Sequence, residues 1–382
     1  MNLSRGKKVK LILIYLVPIL FLLSIAMYTE KGYLESVRYK LGFMGKDIEC
    51  IIHVNDSYKG ASGFQAGFSY EMLKQFAHDN HLNIRIYKPR NHRINYLDSV
   101  KTGAIDIVVM NRIDTSKVEG VLFTIPIEKN IVWAIRTDRK RERLKEANKW
   151  IAHYKASEGY VSVKNRYFSN YDISKRIETG KHYQHLSPYD KLFQKYSTQL
   201  GWDWRLLAAS VYIESGYSID MRSRRGAIGV MQVMPRTASK FVCNDLMDPE
   251  ENIKVGVKNL MAVQKKFKPY AHGKKIEQEK LTLAAYNAGE GRIMDCIRYA
   301  GSLGKSHDTW ASLVEVIPDM RDDAILDVDT VKLGKFNGRE TIKYVDLVFS
   351  TYQKFCQIHP SSTHSDSIGR IHSGDKKRRN KK

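Results

Sequence analysis

Glu214 closes the segment WDWRLLAASVYIES, in which Leu206, Leu207, Ser210, Val211 and Glu214 recur at helical spacing and Gly216 follows as a stop. The spacing predicts a helix with this carboxylate in its last turn. The negative end of the helix dipole disfavours an ionised carboxylate there, and any apolar wall raises its pKa further. A carboxyl kept protonated near neutral pH is what a general acid requires. An ordinary surface glutamate before a helix cap fits the same letters, so the neighbours have to decide.

Two neighbouring stretches bear on the choice. SRRGAIGVMQVMPRTA combines Gly226 and Gly229, which let the backbone turn sharply, with Gln232, an amide able to bond a sugar hydroxyl or acetamido group. Met231, Met234 and Pro235 add apolar surface, for which core packing is the plain alternative use. LAAYNAGEGRI sets Tyr286 and Asn287 side by side just before Gly289 and Gly291. That places a phenol and an amide at a loop beside a cleft, or simply at a helix-ending turn. Asp220 and Asp248 are rival acids by type and read better as a loop residue and a helix cap.

These residues need helices to hold them. LSPYDKLFQKYSTQLG offers Ser187 as N-cap, Pro188 at the first helical position, Asp190 in the capping-box place and Gly201 as stop. DPEENIKVGVKNLMAVQKKF repeats the device with Asp248, Pro249 and Glu251, and places Ile253, Val257, Leu260 and Val263 on one face. Nothing from Ser187 to Phe355 reads as a sheet core, so residues 186–357 form an all-helical domain. Before it, residues 160–185 are polar and aperiodic and read as a linker; after it, residues 358–382 end in GDKKRRNKK and read as a basic disordered tail.

The front of the chain has a different pattern. CIIHV, LNIRIY and AIDIVVM read as strands; SYEMLKQFAHDN and RINYLDSVKTG read as helices between them, the second stopped by Gly103. That order predicts a small α/β layer over residues 46–159. Residues 31–45 are a spacer, and residues 1–30 hold LILIYLVPILFLLSIAMY, Leu11 to Tyr28, without a charge and preceded by Arg5, Lys7, Lys8 and Lys10. Eighteen such residues just span a bilayer, with the basic end in the cytoplasm and the rest outside. A cleaved signal peptide is the competing reading, with Ser24 and Ala26 as a small-x-small pair.

Across 382 residues there are 63 Lys and Arg against 41 Asp and Glu, a formal net charge of +22, so an anionic partner surface is expected. Nucleic acid is disfavoured, because no basic helix or aromatic platform accompanies the charge. Cys50, Cys243, Cys296 and Cys356 are widely spaced, without a C-x-x-C pair. Buried free thiols are the first reading, and Cys243 with Cys296 is the disulfide to test. No cluster of His, Cys and carboxylates has ligand spacing, and neither metal nor cofactor is implied.

Taken together, the blocks around Glu214–Ser215, GVMQVMP, AYNAG and ETIKYV (Glu340 to Val345) resemble, in order, the motifs of lytic transglycosylases of the lysozyme-like superfamily. The resemblance is to the membrane-bound type with a solute-binding-like domain in front, the membrane-bound lytic murein transglycosylase F family. Val230 stands where that family has Leu. The resemblance implies a lysozyme-like fold and cleavage of the β-1,4 bond between N-acetylmuramic acid and N-acetylglucosamine in peptidoglycan, with Glu214 catalytic. Ser215, Ser223, Met231, Gln232, Met234, Tyr286, Asn287 and Tyr344 are then expected to bind substrate, with Met234 beside Glu214 and the Tyr286 hydroxyl near the reaction centre. A hydrolytic muramidase and a non-catalytic peptidoglycan-binding scaffold are the alternatives.

The front layer resembles one lobe of the extracellular solute-binding proteins, through GFQAGFSYEMLKQFAHDNHLNIRIY, LDSVKTGAIDIVVMN and FTIPI (Phe123 to Ile127). After the hinge-like IVWAIRTD the chain passes directly to RERLKEANKWIAHYKASEG, similar to that family's closing helix, so the second lobe is missing. Lys117 stands where the family commonly has a carboxylate-gripping Arg. The expectation is therefore an α+β multidomain protein: membrane helix, single α/β lobe, all-α lysozyme-like domain. Its expected place is the bacterial envelope, outside the cytoplasm and periplasmic, with glycan strands and the membrane as partners and muropeptides at the front lobe.

Overall fold

The computed structural model describes residues 43, 47–54, 64–87, 95–112, 118–137, 141–169, 171–179, 183–306 and 309–360. The apolar segment 11–28, Lys117 and nearly all of the basic tail lie outside the described residues. Among the described residues no helix is long and apolar enough to cross a membrane. The chain divides into two compact units, residues 1–54 with 71–161, and residues 55–70 with 162–382.

The first unit is built on strands β1 (Ile48–His53), β2 (Ile84–Tyr87), β3 (Ile107–Asn111), β4 (Val121–Phe123) and β5 (Ile131–Arg136). They form one sheet in the order β2-β1-β3-β5-β4, with β1 parallel to β2 and β3, and β5 antiparallel to β3 and β4. Helix α1 (Gln65–Asp79) connects β1 to β2, α2 (Leu97–Thr102) precedes β3, and α3 (Glu142–Lys155) follows β5. Period-two alternation sorts the strand residues to two faces. Ile51, Val108 and Ala134 pack with Leu97 and Val100 of α2. Trp133, paired across the strands with Val109, meets Phe76 of α1 and stacks on Trp150 of α3 at 5.8 Å. The Trp150 indole N–H, which would otherwise be stranded there, donates to the Asp79 carboxylate at 2.9 Å. The small α/β layer is thus present.

Residues 160–185, expected as a linker, instead contain most of helix α4 (Glu158–Phe168) and all of α5 (Ile173–Glu178). The polar letters hid an aromatic set: Tyr160, Tyr167 and Tyr171 are buried. A tyrosine counted as polar carries enough ring area to make a helix face.

The second unit holds α6 (Asp190–Leu200), α7 (Trp204–Ser215), α8 (Pro235–Ala238), α9 (Pro249–Phe267), α10 (Lys275–Ala288), α11 (Glu290–Ser302), α12 (Trp310–Val316) and α13 (Arg339–Ile358). Helix α7 is its axis. Every residue from Arg205 to Val211 is buried, so the helix is enclosed rather than one-faced. Ala208 and Ala209 add little bulk, and α6 and α13 pack directly on α7. The one cation in that run, Arg205, is held by the N-cap Asp203 at 3.0 Å and by the His359 carbonyl at 2.9 Å. Helix α9 begins as expected: Asp248 accepts from the backbone N–H of Glu250 and Glu251 at 2.9 and 3.0 Å. Ile253, Val257, Leu260 and Val263 are buried on it.

One cap differs in detail. The Ser187–Asp190 contact forms, with the Ser187 hydroxyl donating to Asp190 at 2.6 Å, yet the helix starts at Asp190. The Asp190 carboxylate also accepts from the backbone N–H of Leu186 and Ser187, so it ties down the approach to the helix instead of an internal turn. All four cysteines are free thiols, and Cys296 is fully buried. Gly201 ends α6 with φ +74°, and a Cβ there would meet nothing within 4 Å. Gly201→Ala therefore isolates the cost of left-handed backbone, and urea unfolding is expected to show a loss of about 1–2 kcal/mol.

Candidate functional site

The site is built where α7 runs out. Gly216 closes the helix, leaving Glu214 half-buried in the last turn. Burial pushes its carboxyl up to about 7; the Tyr344 hydroxyl opposes this slightly, and no neighbouring carboxylate contributes. Sequence reasoning assigned the rise to the helix dipole and an apolar wall. Burial is the effect that carries it.

The segment from Met221 to Pro235 meets the end of α7 through Ser215, the residue after Glu214. Its backbone folds into a three-stranded scrap of sheet, Arg222 opposite Ile228 and Ile228 opposite Val233. Gly229 sits at φ +77°, and a Cβ on it would stand 2.7 Å from the Leu246 carbonyl oxygen, so no larger residue fits. Gln232 takes φ +50°, a conformation that costs a non-glycine residue on the order of 1 kcal/mol and persists only where surroundings impose it. They do: its amide nitrogen donates to the carbonyls of Gly229 at 2.9 Å and Met221 at 3.2 Å.

The segment is pinned from three sides. The Ser215 hydroxyl donates to the Val230 carbonyl at 2.7 Å, and the Tyr286 hydroxyl to the Met231 carbonyl at 2.8 Å. Asn252, 1% exposed, accepts from the Met231 N–H at 2.9 Å and donates to Ile228 and Leu246 carbonyls at 3.0 and 2.8 Å. Apart from the Ile228 carbonyl, which also accepts from the Val233 N–H, these bonds pair backbone groups that irregular chain would otherwise bury unpaired.

The residues expected at the substrate separate accordingly. Glu214, Tyr286 and Tyr344 are brought together by α7, α10 and α13, and Gln232 lies on the segment that the Tyr286 hydroxyl holds. Met234 is 40% exposed, open to a ligand. Asn287 accepts from the Thr341 hydroxyl at 3.0 Å, joining the end of α10 to the start of α13. Ser223 turns the tip of the segment, its hydroxyl accepting from the Ala227 N–H at 3.0 Å. Ser215 and Met231, expected at the substrate, are buried. Ser215 is 3% exposed with its hydroxyl spent on Val230, and Met231 is 1% exposed with its side chain against Gly256. Both side chains pack inward against protein. Asn252 was missed; a polar residue on the apolar side of a helix was its only signal.

Tyr286 and Tyr344 are both raised by burial first and by the nearby Glu214 second, so both stay protonated. The Tyr344 hydroxyl is buried and completes no hydrogen bond of ordinary length, although it lies near enough to favour the Glu214 anion. A donor held slightly off its acceptor is suited to close on charge that develops later. Glu279, 7% exposed, is another acid pushed up to about 7, chiefly by burial. It lines a cavity of about 570 Å³ with Asp203, Leu206 and Tyr352, beside the first turn of α7. Glu214 lies in the last turn, about 12–16 Å further along the axis.

Residues 191–309, within the helical unit, match the family model described as Transglycosylase SLT domain. By sequence the chain is similar to proteins named membrane-bound lytic murein transglycosylase F, the resemblance already drawn from its motifs. One from Desulfosudis oleivorans is 28% identical over 61% of this chain and 51% of its own length. Another, from Thiobacillus denitrificans, is 26% identical over 73% and 60%. A third, from Maricaulis maris, is 33% identical over 42% and 34%. The chain thus spans about half the length of the curated relatives it matches. A solved lytic transglycosylase Slt from Pseudomonas aeruginosa aligns over 57% of this chain and 33% of its own, at 21% identity and a TM-score of 0.34.

Two measurements test the electrostatics. Glu214 in the unfolded chain ionises near 4.5 and in the fold near 7, so the unfolded state holds fewer protons between those values and stability falls as pH rises through them. Glu214→Gln removes this term: denaturation midpoints are expected to match the parent at pH 4 and to exceed it by on the order of 2 kcal/mol at pH 8. Tyr344→Phe deletes the group that favours the anion, so the Glu214 carboxyl is expected to titrate higher still, read as an upward shift of its carbon resonance titration.

Proposed function

We propose that the chain is a peptidoglycan lytic transglycosylase that cleaves the bond between N-acetylmuramic acid and N-acetylglucosamine and leaves a 1,6-anhydro ring. The observation that carries the reading is Glu214, desolvated beside two neutral tyrosines with no second carboxylate acting on it. Most glycosidases set two carboxylates across the scissile bond; a substrate that supplies its own nucleophile needs one.

The chemistry follows from that economy. Protonated near neutral pH, Glu214 gives its proton to the departing glycosidic oxygen as the C1–O bond breaks. The muramyl acetamido oxygen bonds to C1 and holds the positive charge. The Glu214 carboxylate, now unfavourable in its dry setting, draws the proton from the C6 hydroxyl. That oxygen attacks C1, the acetamido group is released, and no water is consumed. Tyr344 steadies the transient anion, and the Tyr286 hydroxyl fixes the Met231 carbonyl and with it the cleft wall. Gln232 and Met234 are assigned to the acetamido-bearing sugar, and Ser223 and Asn287 to the loops that shape its site.

The envelope and membrane placement belong to the same proposal. Residues 11–28, uncharged and preceded by four basic residues, are assigned as a membrane anchor, with both units outside the cytoplasm in the periplasm. The names of the relatives support an association with the bacterial envelope. Muropeptide binding by the front unit rests on its likeness to a solute-binding lobe.

Digestion of purified peptidoglycan by the detergent-solubilised full chain, followed by mass spectrometry, tests the reading. Anhydromuramyl products are expected, about 18 mass units lighter than products with a reducing end. Glu214→Gln should lower the rate by at least about 10². Reducing-end products would assign a muramidase, and no cleavage by the parent would leave a binding protein.

A further inference from the structure

Between Met221 and Cys243, a stretch that holds the segment Met221 to Pro235 and the short helix α8 after it, the sequence has five cations, Arg222, Arg224, Arg225, Arg236 and Lys240, and no Asp or Glu. All five are exposed. Among the described residues none of them makes an ion pair, whereas elsewhere in this unit Arg205, Lys195, Lys266 and Arg298 do. Long cations left unpaired on one segment are available to an anion from outside.

Their placement is set by the fold. The Gly226 N–H donates to the Ser223 carbonyl at 3.0 Å and the Ser223 N–H to the Ala227 carbonyl at 3.0 Å. That tight turn presents Arg224 and Arg225 at its two central positions. Arg222 lies opposite Ile228 and Ile228 opposite Val233, so two inter-strand steps, roughly 10 Å of backbone, separate Arg222 from the chain between Gln232 and Met234. Arg222, Arg224 and Arg225 therefore lie on the same short piece of sheet as Gln232, which is assigned to the sugar.

We propose that this arginine turn reads the carboxylates of the peptide attached to the muramyl residue being cleaved, making the site selective for strands with anionic stem peptides. The inference rests on the reading of Glu214 as a peptidoglycan-cleaving acid. Cleavage at the muramyl C1 brings that sugar to Glu214, and its peptide, joined through the sugar's lactyl ether, has to leave past the rim. Arg224 and Arg225 present planar forks matched to carboxylates. An anionic lipid surface is the competing source of negative charge; the neighbourhood of the sugar-facing residues favours the peptide.

The test uses the full chain carrying Glu214→Gln, so that ligand survives, and peptide-bearing glycan fragments with carboxylates either free or amidated. Calorimetry at low and moderate salt is expected to give about tenfold tighter binding of the free-carboxylate form, with the difference lost in R224A/R225A and largely kept in R224K/R225K. Equal affinity for the two ligands, or the same preference in R224A/R225A, overturns the proposal. Loss of binding to phosphatidylglycerol vesicles in R224A/R225A with unchanged ligand preference overturns it in favour of lipid. Cleavage by the parent, run in parallel, separates the two readings. Cleavage without carboxylate preference leaves the transglycosylase and removes the selective turn; carboxylate preference without cleavage does the reverse.

Discussion

Everything at the site depends on keeping one carboxyl dry. Glu214 stands at the end of a helix that is enclosed from Arg205 to Val211, where an ionised carboxylate loses more hydration than its surroundings return. Its neutral form is stable near pH 7 for that reason, and so is its readiness to take a proton back after giving one away. The enclosure in turn requires an irregular segment to lie over the helix end. Irregular backbone can be buried only if its polar groups are paired. Ser215, Asn252, Tyr286 and the amide of Gln232 do that pairing, which explains why so many polar side chains converge on loop carbonyls and so few on the acid.

The same constraint divides labour among residues that look alike in the sequence. Met231 and Met234 are three residues apart in one motif; the first is core against Gly256, and the second is open. Glu214 and Glu279 are both acids whose pKa is raised chiefly by burial. The first has two tyrosines and a folded wall about it, while the second sits at the opposite end of α7 beside a charged N-cap. A shifted pKa alone would not choose between them. The converging side chains do.

Much of this was legible in the letters. The helix ending at Gly216, the cap at Asp248, the stop at Gly201 and the strand–helix alternation of the front unit follow from short-range rules: a left-handed glycine, a side chain that satisfies free N–H groups, a period of two or of 3.6. The linker reading failed over residues 160–185 because tyrosine counts as polar in a periodicity scan and behaves as apolar when its ring is packed. Ser215 enters through the motif it shares with Glu214, and the fold buries its side chain; one residue along a helix turns the side chain by about 100°.

The sequence by itself determined which residues have the right chemistry and which local turns they end in, since capping, periodicity and backbone preference act over a few residues. Only the tertiary structure decided that Glu214 is desolvated, that Tyr344 faces it from a helix more than a hundred residues away in the chain, and that Ser215 and Met231 pack inward. Desolvation is a property of everything packed around a group, and no window of sequence contains it.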